Sequence, residues 1–250
     1  MIKIRNLSYS VADKDILKDL SLDIPKGQVT ALVGANGAGK STLLSLIARL
    51  NPIQQGDIMI DELKIGACSN KELAKKLSIL SQTIHLEARL TVRELVSFGR
   101  YPHCKGRLSK GDWQKVDEAL EVLDLKELED RPLDTLSGGQ RQRAYVAMTY
   151  AQDTEYMLLD EPLNNMDIAA SRGLMRVLRR LCEEHNRAIV IVLHDINYAS
   201  AYADNIVALA DGTVARNGTP KDVVDKGFLQ KIFTTDAGVH LVDNRPIVLV

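Results

Sequence analysis

The chain has 250 residues, 45% of them apolar, with 32 Lys and Arg set against 33 Asp and Glu. That length suits one large domain or two closely joined ones with an ample core, and the balanced charge excludes a surface built to coat nucleic acid. The three cysteines, Cys68, Cys104 and Cys182, form no C-x-x-C pair, which excludes a disulfide framework or a cysteine zinc site and suits a reducing compartment.

The five histidines are equally scattered, so no structural metal site is expected. The opening Met1-Ile2-Lys3-Ile4-Arg5-Asn6 carries no apolar signal region. The longest strictly apolar run, Ala188 to Leu193, is too short to span a bilayer. A soluble protein is expected, with any membrane link made through a partner.

In chain order, Ile2-Lys3-Ile4 and Leu20-Ser21-Leu22-Asp23-Ile24 read as strands. Tyr9 and Val11 lie two apart and would share a strand face. Pro25-Lys26-Gly27 is a turn into Val29-Thr30-Ala31-Leu32-Val33, a β-branched apolar run fit for a buried strand. Gly34-Ala35-Asn36-Gly37-Ala38-Gly39-Lys40-Ser41-Thr42 follows and reads G-x-x-x-x-G-K-S. Leu43 to Ala48 then suits a helix, so the context is strand, glycine loop, helix. Glycines let the backbone turn with positive φ and turn successive N–H groups toward an anion. The helix N-terminus adds partial positive charge. In such a loop Lys40 reaches the terminal phosphates of a nucleoside triphosphate and the Ser41 hydroxyl ligates Mg²⁺.

The first helix, Thr42 to Arg49, is expected to end near Asn51-Pro52. Gly56 to Ile60 and Leu77 to Gln82 read as further strands, the second closing on a glutamine. From about Thr83 the pattern turns helical. Thr91-Val92-Arg93-Glu94 is a capping-box signature, followed by Leu95, Val96 and Phe98. Tyr101-Pro102-His103 is expected to stop that helix. Ser109 with Asp112 suits the cap of the next, in which Trp113, Val116, Leu120 and Leu123 fall at helical spacing. Beyond a strand at Tyr156 to Leu159 comes an amphipathic helix carrying Leu174, Val177, Leu178 and Leu181 on one face. Ala188 to His194 is a nearly continuous apolar run of the parallel-sheet kind, and Asn205 to Ala210 is a further strand. Thr219-Pro220 reads as an N-cap with proline at the first helical position. Alternating strands and helices argue for an α/β fold with a mainly parallel sheet.

Asp160 and Glu161 stand at the C-terminal end of an apolar strand, where a parallel sheet presents ligands. Asp160 is placed to hold Mg²⁺, directly or through water. Glu161 would polarise or deprotonate a water attacking a γ-phosphate. Leu136-Ser137-Gly138-Gly139-Gln140 is a second anion-binding helix start, combining a hydroxyl, glycine N–H groups and a dipole. Average residue frequencies make this pentapeptide a chance event in on the order of one in a few thousand chains. Its place shortly before Asp160 sets aside an ordinary glycine-flanked cap.

With these motifs in this order, the chain resembles the ATPase subunits of ATP-binding cassette (ABC) transporters over nearly its whole length. Gln82 resembles that family's Q-loop glutamine, Asn164-Asn165-Met166-Asp167 its D-loop, and His194 its switch histidine. The resemblance implies a P-loop NTPase with a mainly parallel sheet, an N-terminal antiparallel β portion and a helical insert. It implies a single cassette over 1–250, with ATPase core at 1–82 and 153–215, helical subdomain at 83–152 and C-terminal extension at 216–250. It implies a head-to-tail homodimer enclosing two ATP molecules, in which Ser137, Gly138, Gly139 and Gln140 of one copy, with Asp167, complete the site of the other. Gly34 to Thr42 would bind ATP, and Ser41, Gln82 and Asp160 would hold Mg²⁺. Glu161 would act as base or water-orienter, with His194 and Gln82 at the γ-phosphate or the water.

One departure concerns adenine. The family places an aromatic where this chain has Val11, so that either nearby Tyr9 substitutes or adenine stacking is weak, a stacked aromatic contributing about 1 kcal/mol. The D-loop also reads Leu-Asn-Asn-Met-Asp in place of the commoner Ser-Ala-Leu-Asp type. Phe98-Gly99-Arg100-Tyr101-Pro102-His103 and His194-Asp195-Ile196-Asn197 resemble the importer ATPases for iron–siderophore, haem and cobalamin uptake. Pro162 to Asp167 leans toward ferric siderophore. The implied partners are integral permease subunits, contacted through Gln82 to His103, and an external substrate-binding protein, with no nucleic acid. The implied location is the cytoplasmic face of the cell membrane. A non-transport ABC ATPase acting on DNA or ribosomes would carry long heptads, a second cassette or a basic tail, none of which is read here.

Overall fold

The structure, a computed structural model, describes residues 1–82 and 89–249. In chain order the elements are β1 (Ile2–Val11), β2 (Lys14–Ile24), β3 (Val29–Val33), α1 (Lys40–Ile47), β4 (Gln55–Ile60), β5 (Leu63–Lys64), α2 (Asn70–Lys76) and β6 (Leu77–Leu80). Next are α3 (Val92–Phe98), α4 (Tyr101–Cys104), α5 (Lys110–Val122), α6 (Gly138–Ala151), β7 (Tyr156–Leu159) and α7 (Ile168–His185). The chain closes with β8 (Ala188–Val192), α8 (Ile196–Tyr202), β9 (Asn205–Ala210), β10 (Thr213–Gly218), α9 (Pro220–Val223), α10 (Lys226–Phe233), β11 (Gly238–Val242) and β12 (Arg245–Leu249). The helical pattern expected from Thr83 falls, as far as Ala88, outside the described residues. The chain packs as two compact units, Met1–Cys68 with Ala188–Val250, and Ser69–Arg187.

In the first unit β2, β1, β4 and β5 form an antiparallel sheet in that order. Ile2 and Ile4 are fully buried while Lys3 and Arg5 are exposed, as the two-residue strand period requires when one face packs inward. Ile2 stands opposite both Ile24 and Ile60. The strands expected at Ile2–Ile4 and Leu20–Ile24 run longer, because Ala12 and Asp13 both take positive φ (46° and 65°) and turn the chain back into register.

β3 lies between β8 and β9 and is parallel to both. Every residue of β3 and β8 is buried. Strands covered on both faces have no polar face to show, and so read as unbroken apolar runs. β9 returns antiparallel through β10 at Asp211-Gly212, again a pair with positive φ.

In the second unit β6 and β7 pair in parallel, Leu77 opposite Tyr156. Four of its helices, α2, α3, α5 and α6, open with a capping box: Ser69 with Glu72, Thr91 with Glu94, Ser109 with Asp112, and Ser137 with Gln140. In each, two N–H groups that the first turn leaves without a helical partner are satisfied by side chains. The apolar stripes meet inside: Leu95, Val96, Val116, Leu120 and Leu123 are buried, as are Leu174, Leu178 and Leu181 of α7.

Trp113 is 39% exposed and packs under the Arg93 guanidinium, because its neighbour Asp112 takes the inward position. α3 ends at Phe98, before Tyr101, as expected, and Tyr101-Pro102-His103 then opens a further short helix, α4, with Pro102 in the first turn, where its missing N–H costs nothing. Gly99 between α3 and α4 permits a close approach, since a Cβ there would lie 2.1 Å from Met148 O of α6.

Asp112 anchors this packing. Its carboxylate accepts from Ser109 Oγ (2.6 Å), Ser109 N (2.9 Å) and Arg100 Nε (3.0 Å), and Arg100 also donates to Ala151 O. The Ser109 hydroxyl and N–H, with help from Arg100 and against the cost of burial, pull its pKa down to about 2. A depressed carboxylate contributes stability that is full above about pH 4 and lost as pH falls toward 2. Urea midpoints measured across that range are therefore expected to fall more steeply for the wild type than for Asp112→Ala. At neutral pH that variant is expected to lose about 3 kcal/mol, since it strands the buried Arg100. Identical acid profiles for the two proteins would refute this role.

Candidate functional site

The phosphate loop begins where β3 ends. Gly34 takes φ +145°, and a Cβ on it would lie 2.3 Å from Leu209 O. Gly39 takes φ +98° as N-cap of α1, and its Cβ would lie 2.6 Å from Leu17 Cδ2. Only glycine meets both the backbone angle and the close packing at these two positions. Ala35, Asn36 and Gly37 are exposed at the tip. Lys40 is 5% exposed, and its ammonium donates to Gly34 O (2.9 Å) and Ala35 O (3.0 Å), so the lysine lies across its own loop. The first turn of α1 holds Ser41 and Thr42 and no acidic residue, which leaves the helix's partial positive charge directed at the loop.

A cleft of about 450 Å³ beside this loop is lined by Lys14, Ile16, Lys18, Asn36, Asp211 and Lys231 among others. Its wall toward β2 carries Ile16, two lysines and Asp15. Tyr9 stands opposite Leu17 in the β1–β2 register, half-buried, and is not among the residues lining the cleft. Val11 is 52% exposed at the end of β1.

His194 belongs to the same unit. It follows β8 by way of Leu193, whose N–H donates to Leu32 O, and it is exposed. Leu32 of β3 pairs with Val192 of β8, so the loop and His194 leave adjacent parallel strands at their C-terminal ends. Asp195 then caps α8 by accepting from Asn197 N at 2.8 Å.

The second unit gathers the other expected residues. Asp160, 7% exposed, donates its N–H to Leu80 O, which sets the ends of β6 and β7 side by side. Gln82, just beyond β6, thereby reaches Glu161: Gln82 Nε2 donates to Glu161 Oε2 at 2.7 Å. Glu161 takes φ +51°, a left-handed conformation unusual for a residue with a side chain. Asn164, absent from the expected site residues, donates both its N–H to Glu161 O and its Nδ2 to Glu161 Oε2. In the sequence it is the first residue of the D-loop-like Asn164-Asn165-Met166-Asp167, and an amide within one turn of the glutamate. Asp167 accepts from Ala170 N at 2.7 Å as N-cap of α7.

Ser137 caps α6 through Gln140 N, while Gln140 Oε1 accepts from Ser137 N. No acidic residue stands in the first turn of α6, so its positive end is also uncompensated. A Cβ on Gly138 would lie 3.2 Å from Asn165 O, and one on Gly139 would lie 3.0 Å from Ala170 Cβ. The helix start thus abuts the segment from Asn165 to Ala170.

The oxygen donors present, the Asp160 carboxylate, the Ser41 hydroxyl and the Gln82 amide, are of the hard kind that Mg²⁺ takes. Among the described residues no group of three or more His, Cys, Asp or Glu is placed to hold a metal.

Residues 17–164 match the profile of the ABC transporter family. A petrobactin import ATP-binding protein of Bacillus subtilis (strain 168) is 47% identical over 247 residues, covering 99% of this chain and 98% of that protein. A petrobactin import ATP-binding protein of Bacillus anthracis is 50% identical over 235 residues, covering 94% of each. Among solved structures, a dimeric ATP-binding cassette in a post-hydrolysis state with ADP and Pi bound has a TM-score of 0.77 at 30% identity, covering 88% of this chain and 98% of that one.

Proposed function

The chain belongs to the ABC transporter family, and from that premise we propose how it works as the subunit that binds and hydrolyses ATP to energise import of ferric siderophore. The observation that carries the cargo is end-to-end similarity to petrobactin import ATP-binding proteins. The fuel rests on Gly34–Ser41, Leu136–Gln140 and Leu158–Glu161 occurring in that order.

In this reading the N–H groups of Gly37 to Thr42 and the Lys40 ammonium bind the β- and γ-phosphates. Ser41, Asp160 and Gln82 would hold Mg²⁺, which when bound offsets charge on the phosphate oxygens. Glu161 orients or deprotonates the attacking water, and His194 hydrogen-bonds that water or the γ-phosphate. Two copies associate head to tail. Ser137, Gly138, Gly139 and Gln140 then direct the positive end of α6 at the γ-phosphate bound by the other copy, with Asp167 nearby, in the manner of an arginine finger. The adenine lies along the start of β2, and with Tyr9 outside the cleft that Lys14, Ile16 and Lys18 line, its stacking is weak.

The cassette is read as one domain whose core is 1–82 and 153–215, with helical subdomain 83–152 and extension 216–250. Among the described residues no helix is long and apolar enough to cross a membrane. The subunit is therefore proposed to sit peripherally at the cytoplasmic face, docked on integral permease subunits that are served by an external substrate-binding protein. The contact segment, Gln82 to His103, presents Phe98 (50% exposed) and Tyr101 (63%), whereas Leu95 and Val96 are core.

Uptake of ⁵⁵Fe-labelled petrobactin by cells lacking the gene is the test. Uptake is expected to stop and to return only with a gene whose product hydrolyses ATP. Undiminished uptake in the deletion strain would overturn the cargo assignment.

A further inference from the structure

We propose that Asn164 is a positioning residue for ATP hydrolysis, holding Glu161 by backbone and side chain at once. The inference rests on the reading of Glu161 as the residue that handles the attacking water.

Glu161 sits at φ +51°, a left-handed conformation that is unfavourable for a residue with a Cβ and persists only where neighbours over-determine it. Asn164 supplies two of those constraints. Its N–H donates to Glu161 O at 3.2 Å and closes the turn. Its Nδ2 donates to Glu161 Oε2 at 2.5 Å, a charge-assisted bond of the strong kind. Gln82 Nε2 donates to that same oxygen at 2.7 Å from the end of β6. The carboxylate is thus fixed from two directions, by an amide on its own turn and by one from the neighbouring strand. A base or water-orienter works by geometry, and misplacement of about 1 Å is enough to cost a hundredfold in rate.

Asn164 is itself braced. The next residue, Asn165, takes φ +61°, and its carbonyl stands against Gly138, where a Cβ would come within 3.2 Å. The turn that carries the amide is therefore pressed between Glu161 and the first residue of α6. Serine or alanine at position 164 keeps the backbone N–H bond, but neither matches the reach of the amide. Aspartate matches its shape yet has no donor and sets a second negative charge beside Glu161. In this chain the short amide supplies the N–H donor that reaches the carboxylate.

The test compares Asn164→Asp, Asn164→Ala and Asn164→Gln in the full chain, reading kcat, KM for ATP, nucleotide affinity and thermal midpoint. Asp and Ala are expected to lower kcat at least tenfold, with KM, affinity and midpoint unchanged, and the donor-retaining Gln is expected to recover part of the loss. Glu161→Gln and the double variant Glu161→Gln/Asn164→Asp complete the set. If Asn164 acts through Glu161, the second change lowers the residual rate of the first no further. A role in folding alone would depress both backgrounds equally and lower the midpoint. A kcat within twofold of wild type for Asn164→Asp, where Glu161→Gln abolishes turnover, overturns the inference and leaves the reading of Glu161 intact. Full turnover in Glu161→Gln removes the reading itself, and this inference with it.

Discussion

Lys40→Ala is expected to weaken ATP binding at least a hundredfold and to abolish hydrolysis. The ammonium is 5% exposed and bonded to Gly34 O and Ala35 O, so the substitution removes a desolvated positive charge at the place where the terminal phosphates arrive. Truncating one partner of a buried, charged hydrogen-bonded contact costs about 2–5 kcal/mol, which corresponds to roughly 30-fold to several thousandfold in affinity. The fold is expected to persist, because α1 is set by Gly39 and by the bond from Leu43 N to Gly39 O, neither of which needs the lysine side chain. Equilibrium titration with a fluorescent ATP analogue measures the effect. Unchanged affinity would refute the assignment of the loop.

Glu161→Gln is expected to leave ATP affinity within a few-fold of wild type, lower turnover by about 10²–10⁴, and trap an ATP-loaded dimer. The glutamine has the same shape, and with its carbonyl oxygen in the place of Oε2 it still accepts from Gln82 Nε2 and Asn164 Nδ2. What disappears is the negative charge that polarises or deprotonates water. Steady-state phosphate release gives the rate, and light scattering with and without ATP gives the assembly state. Turnover near the wild-type rate would sink the role. A monomer in saturating ATP would count against the head-to-tail closure.

What the sequence shows and what the fold adds divide along the range of the interactions. The glycine loop was legible because each of its requirements is local: positive φ at Gly34 and Gly39, and a lysine and a hydroxyl opening a helix. The capping box at Thr91 and the helix caps at Ser109 and Ser137 were legible for the same reason, since donor and acceptor lie within one turn. The unbroken apolar runs of β3 and β8 announced burial on both faces, and with it a parallel sheet. Helical spacing specifies a stripe and not which neighbour takes the inward position, and beside Trp113 the ion pair of Arg100 with Asp112 takes it. α4 was missed because Pro102 reads as a stop until it falls in a first turn.

By itself, then, the sequence determined the chemistry of the phosphate loop, of the helix starts and of the acidic strand end, because glycine angles, caps and apolar periods depend on neighbours a few residues away. Only the tertiary structure decided that β6 lies beside β7, so that Gln82 meets Glu161, and that Asn164 folds back onto the same carboxylate. Strand order and the direction of a side chain in a turn depend on contacts between distant segments, and no local preference encodes them.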